Sequence, residues 1–353
     1  MSSSSSQEHY EDSCSSESID VEAEKPLNPS SDFPEGGRGW LVVIGTFLLS
    51  FFGFGLMNAF GVYQSIYMQR FPDTSASVIS LIGSLSPALV YLLGPLIGFL
   101  LESIGPRPLI LVSACISGIT YIGIGLTQPL YAQFLFQGVL QGVAQALAFY
   151  PCIAIPNHWF FKRRGLALGL TFAGSSIGGT TWPIFVVRVN EMVGWYWTNF
   201  AIGLMVFVLG VVAFFLVVPR FPLKTPEKLV DWSSFKNLNF TLLFLAQGVL
   251  FFGLFTPFFF ITPFAQASKV DPTIIYYLLS ITNGSSFFGR TLLGKLSDVL
   301  GYYNTFIPSV FLSGLVALVF WTVPVSTGSL IAFAVLYGFF SGGAIALFTP
   351  CLV

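Results

Sequence analysis

A chain of 353 residues with a net charge of −1 carries only 9% charged side chains against 54% hydrophobic and 17% aromatic. Together with a mean hydropathy of +0.78, that balance excludes a soluble globular domain and marks an integral membrane protein. Cys14, Cys115, Cys152 and Cys351 show no paired spacing, so neither a disulfide framework nor a metal site is expected.

Nine of the 16 acidic residues fall in the first 35 positions. Residues 1–34 are also rich in serine and nearly free of large apolar side chains, so they cannot bury enough surface to offset their ordering entropy and are expected to be a disordered cytosolic tail. They lack the basic start and short apolar core of a cleaved signal peptide. The 24 uncharged residues from Trp40 to Tyr63 are long enough to cross a hydrocarbon core of about 30 Å, and Thr74 to Leu101 gives a second span. Pro108 to Phe161 is 54 residues without Asp, Glu, Lys or Arg, which predicts two spans broken at Pro129. Gly165 to Val187 and Tyr196 to Val218 are the fifth and sixth. A charged, proline-containing linker over 219–236 follows, then spans from Leu238 to Phe264 and from Pro272 to Leu293. Val299 to Val353 splits near Val323 into the ninth and tenth.

The pattern Gly-x-Leu-x-acid-x-x-Gly occurs twice, as Gly98, Leu100, Glu102, Gly105 and as Gly294, Leu296, Asp298, Gly301. Each copy follows the second span of a six-span unit, so the chain reads as a repeated bundle, 35–218 and 237–353. With the N-terminus inside, 11 of the 15 Lys and Arg residues are cytosolic and three are outside, the bias that sets membrane orientation. The remaining one, Arg290, lies within the eighth span.

This duplicated pattern, with Arg107 after the first copy, resembles the major facilitator superfamily. "EGGRGW" (Glu35, Gly36, Gly37, Gly39 and Trp40) and "WFFKRRGLALGLTFAG" (with Phe160, Lys162, Arg163, Arg164, Leu166, Ala167, Gly169, Ala173 and Gly174) are similar to two signatures of its monocarboxylate transporter family, and "GFFSGGAIALFTPC" resembles the fungal branch. The resemblance implies an all-α membrane protein with 6+6 spans. About ten are present here, so the second half is expected to be incomplete and to leave faces without packing partners. It further implies a secondary carrier, such as a symporter, in the plasma or vacuolar membrane. In such carriers Gly98, Glu102, Gly105, Arg107, Gly294, Asp298 and Gly301 would latch the cytosolic ends of the two halves as these rock.

An ionisable group at membrane depth is a functional candidate, and Arg290 matches the family arginine assigned to a substrate carboxylate, which a guanidinium can hold in two hydrogen bonds. Pairing with Asp298, or reaching the cytosol, is the competing reading. The family's nearby acid and its first-span lysine correspond here to Ser286 and Asn58, and no membrane carboxylate stands as a proton carrier, so proton coupling stays open and no cofactor is expected. Asn58, Asn283 and Arg290, with Phe54 shaping the wall, are expected to line a central cavity for a small organic anion or, alternatively, a vitamin or secondary metabolite. A truncated, non-transporting homologue or sensor is the further alternative. No catalytic pair sits at membrane depth, and nothing points to nucleic acid; the partners expected are the solute and the lipid bilayer.

Overall fold

The computed structural model describes residues 33–221, 232–254, 256–268, 272–322 and 326–352, all of which belong to one compact unit, Phe33–Val353. The expected tail, save its last two residues, and most of the expected linker lie outside the described residues. Among the described residues every element is helical. Seven of the described helices are long and apolar enough to cross a membrane, or eight if one bent pair is a single span.

The first span exceeds the uncharged run that predicts it. α1 (Arg38–Asn58) and α2 (Phe60–Arg70) join at Ala59 into one apolar stretch of 33 residues, about 50 Å at 1.5 Å per residue, so its ends stand beyond a hydrocarbon core. Arg70 ends α2, with its guanidinium 4.6 Å over the Trp195 ring. The second span is broken into α3 (Ala76–Leu92) and α4 (Gly94–Ile104), bent by 52°. Pro95 explains the bend, since it offers no N–H to the preceding turn and its ring crowds the carbonyl there.

α5 (Pro106–Leu126) is the third span. The fourth starts after Pro129 with the single turn α6 (Leu130–Gln133), widens into a π-helical stretch, Phe134–Leu140, and continues as α7 (Gln141–Ala154) into a tight turn, Ile155–His158. α8 (Arg164–Leu216) covers 53 residues, yet Gly194 has φ 80° and ψ 173°. The chain turns a corner there, so α8 contains both the fifth and sixth spans. The second half comprises α9 (Leu238–Leu254), α10 (Thr256–Ala267), α11 (Pro272–Leu300), α12 (Tyr302–Thr322) and α13 (Thr327–Leu347).

α11 runs to Leu300, past the expected end at Leu293, and α4 likewise carries the first motif copy to Ile104. Both copies are therefore closing turns of helices, not loops. Each stops at a glycine of positive φ, 85° at Gly105 and 94° at Gly301, a conformation that costs other residues about 1–3 kcal/mol. That requirement explains the last glycine of the repeated pattern.

The first bundle buries one continuous core in which Leu49, Phe52, Tyr63, Ile110, Tyr121, Trp182 and Ile202 meet. Ile261, Leu278, Leu330 and Phe333 anchor a separate core in the second half. Leu242, Leu245, Val249 and Phe252 of α9 are exposed, an apolar face suited to hydrocarbon.

Candidate substrate path and closing interface

The fifth span, the first part of α8, touches every element of the candidate site in order. Its first turn and the corner leading into it are each held by a carboxylate. The Glu35 carboxylate accepts hydrogen bonds from the backbone N–H groups of Phe161 (2.8 Å), Lys162 (2.6 Å) and Arg163 (3.2 Å). Asp298, from the end of α11, accepts from the N–H groups of Gly165 (2.7 Å) and Leu166 (3.0 Å). The Gly165 and Leu166 groups are among the donors that a helix start leaves without an intrahelical partner, and its dipole favours negative charge there. Burial pushes the Asp298 carboxyl above its usual pKa, opposed by the bonds from Leu166 and Gly165.

Small residues bring the two halves together at this level. A β-carbon on Gly165 would collide with Ser297 Oγ and the Gly294 carbonyl, and one on Gly169 would collide with the Arg290 carbonyl oxygen. Gly294 is packed in turn against the backbone of Gly165. This is the close approach that small residues permit between membrane helices.

The two motif copies are used differently. Gly98 has open space where a β-carbon would stand, Glu102 and Arg107 are exposed, and Arg107 lies 5.9 Å from the Phe214 ring centre. The two signature stretches, by contrast, pack on each other. Gly39 fits under Phe160 and Trp159, the Trp40 and Phe160 rings are 4.9 Å apart, and Ala167 and Ala173 are buried. Gly174 sits against the Phe47 carbonyl, holding α8 to α1. Lys162 and Arg163 point to the surface, whereas Arg164 is buried beside the Phe161 ring.

Deeper along the span, Arg290 crosses from α11 and donates through Nη1 to the Phe172 carbonyl and to Ser175 Oγ. It neither pairs with Asp298 nor reaches the surface, being 4% exposed. Its Nε has no hydrogen-bond partner, and neither has the buried Ser286 Oγ one turn before it. Beside this arginine, aromatic rings from both halves meet: Phe54 on Phe149 at 5.0 Å, Phe149 on Phe172 at 6.3 Å, Phe172 on Phe348 at 6.4 Å and Phe348 on Phe251 at 5.6 Å. Phe54 thus belongs to an aromatic wall.

Asn58 and Asn283 converge at Gly179. Asn58 Nδ2 and Asn283 Oδ1 each lie 2.9 Å from the point where a β-carbon on Gly179 would stand, and Asn283 Oδ1 has no partner. Gly179 is 14 residues beyond Gly165, about 21 Å of helix, which places one amide from each half well inside the membrane-spanning depth. Four glutamines not singled out from the sequence add a second polar feature. Gln133, Gln137, Gln141 and Gln145 are all buried, and their strict four-residue spacing inside an uncharged run is the signal that marks them.

Two helical halves that meet closely at Gly165, Gly169 and Gly294, with polar groups at depth, match what sequence comparison finds. The family model described as Major Facilitator Superfamily matches residues 41–353. The chain belongs to the major facilitator superfamily. It is a multi-pass membrane transporter, and its relatives are transporters as well. The agnestins efflux protein of Paecilomyces divaricatus is 36% identical over 327 residues, covering 92% of this facilitator and 74% of the relative. An MFS-type transporter of Aspergillus niger is 34% identical, covering 89% and 73%. The aspyridones efflux protein of Emericella nidulans is 33% identical, covering 93% and 67%.

Proposed function

We propose that this facilitator exports a secondary metabolite, a small organic solute with apolar rings and neutral polar groups, by alternating access. The observation that carries the reading is the meeting of Asn58 and Asn283 at Gly179, one amide from each half, next to the aromatic wall of Phe54, Phe149 and Phe172. Amides and rings recognise an uncharged, partly aromatic solute. The likeness to the agnestins and aspyridones efflux proteins supports both the solute class and the outward direction. Asp298, Gly294 and Gly301 act as the latch at the cytosolic end, and rocking of the halves breaks the bonds from Gly165 and Leu166. Gly98, Glu102, Gly105 and Arg107 form the pseudo-symmetric counterpart. The membrane is the plasma or vacuolar one.

A second reading, transport of a monocarboxylate or related organic anion, draws on the two signature stretches and on the buried Arg290, whose Nε lacks a partner. A proteoliposome panel separates the two. Secondary-metabolite flux that falls about tenfold in Asn283→Leu and persists in Arg290→Lys fits the first reading, one well-made hydrogen bond being worth about that factor. Lactate flux abolished by Arg290→Lys moves the assignment to the anion. Full flux from Asn283→Leu at equal membrane level removes the amide pair from the site.

A further inference from the structure

We propose that the first bundle holds a binding site for one neutral oxygen, supplied by a water or by a hydroxyl group of the transported solute. The site is a cavity of about 20 Å³ walled by Met57, Phe60, Ser86, Tyr121 and the three glutamines Gln137, Gln141 and Gln145. A polar cavity above about 10–15 Å³ can hold one water, and no charged side chain lines this one.

The glutamines are not equivalent. Gln145 makes bonds at both ends: its Nε2 donates to the Gly53 carbonyl at 2.9 Å and its Oε1 accepts from Ser86 Oγ at 2.9 Å. Gln137 Oε1 accepts from Tyr67 Oη at 2.7 Å. Between them Gln141 is 2% exposed, and both its amide atoms are without partners. A buried amide with neither bond made is strongly disfavoured. The missing group must accept from Nε2 and donate to Oε1, which a water or an alcohol does and a carboxylate or an ammonium does not. The cavity's small volume restricts it to a single oxygen.

The local backbone supports a built site. In an α-helix of 3.6 residues per turn a four-residue repeat drifts around the axis by about 40° per step. The wider π-helical turns at Phe134–Leu140, which contain Gln137, counter that drift and keep the glutamines on one side. π-helical insertions of this kind recur at functional sites. Met57 and Phe60 put the cavity at the depth of Asn58 but on another face of the first span, since Asn58 turns to Gly179.

Hydroxyl-radical footprinting of the protein in nanodiscs, in water enriched in oxygen-18, tests this. Radicals formed from a bound water mark adjacent rings, so Tyr121, only 1% exposed, should be labelled relative to the 76% exposed Tyr131. That signal should fall about tenfold in Gln141→Leu, as loss of a net hydrogen bond implies. An unlabelled Tyr121 in the wild-type protein means a dry cavity and overturns the proposal, and this arm decides alone if Gln141→Leu does not fold. The matched probes cyclohexanol and cyclohexane identify the source. Displacement by cyclohexanol alone assigns a solute hydroxyl, and displacement by neither assigns a water. Equal displacement by both, with Tyr131 unchanged, marks an apolar hole and overturns it. Only the hydroxyl arm rests on the transport reading; the water arm is read without any flux.

Discussion

Asp298 is a carboxylate held at a helix start yet raised in pKa by its partial burial. If opening returns it to water, the closed form binds the proton more tightly than the open one. Its contribution to closure is then fully present below the ordinary carboxylate value and is lost as pH rises through the raised value. A cysteine placed at Ser297, which is buried against Gly165, should react faster with a cytosolic-side maleimide as pH climbs through that window. Asp298→Asn keeps an oxygen acceptor without the titration and should leave only the thiol's own pH dependence; an unaltered profile in that variant removes Asp298 as the cause. At this scale the sequence shows Asp298 through repetition, and Arg290 and Asn283 through polarity within apolar runs. It does not show what Arg290 bonds to, because Phe172 contributes a carbonyl that any residue would present. The four glutamines were legible in principle by spacing alone, but uncharged polar residues do not interrupt a run defined by the absence of charge.

Three corners in the chain share one construction. An acid three residues before a positive-φ glycine ends α4 (Glu102, Gly105), divides α8 (Glu191, Gly194) and follows α11 (Asp298, Gly301). Gly105 and Gly194 agree closely, with φ 85° and ψ 173° against φ 80° and ψ 173°. Such recurrence within one half is what an inverted three-helix repeat would leave. Gly194→Ala has free space for its β-carbon, so its penalty is conformational alone, about 1–3 kcal/mol, read as a lowered thermal midpoint in nanodiscs. Gly169→Val should behave in the opposite manner: it meets the Arg290 carbonyl, so it should prevent closure and stop transport while the bundle stays folded. An unchanged transport rate in Gly169→Val would mean that the halves do not need this contact. Uncharged runs located the spans well but misplaced their ends. Charge density registers where hydrocarbon stops, and a helix such as α1–α2 or α11 continues past that point until a glycine or a proline stops it.

Across the whole molecule, the paired corners make a topological demand. Residues flanking Gly105 and Gly301 should react with an impermeant label from one side of the membrane, and those flanking Gly194 from the other. Gly194 appearing on the same side as Gly301 would undo the two-bundle arrangement. The side with Gly301 is the one shut by Gly165, Gly169 and Gly294, so the conformer described is closed where the basic residues Lys162 and Arg163 gather. The three amide hydrogens held by Glu35 add a consequence for this closed side. Asp298 grips the same short corner two residues later, so Glu35 and Asp298 hold one stretch of backbone between them. Neutralising the first side chain, as in Glu35→Gln, would slacken the corner from which Asp298 hangs without touching the solute's own route.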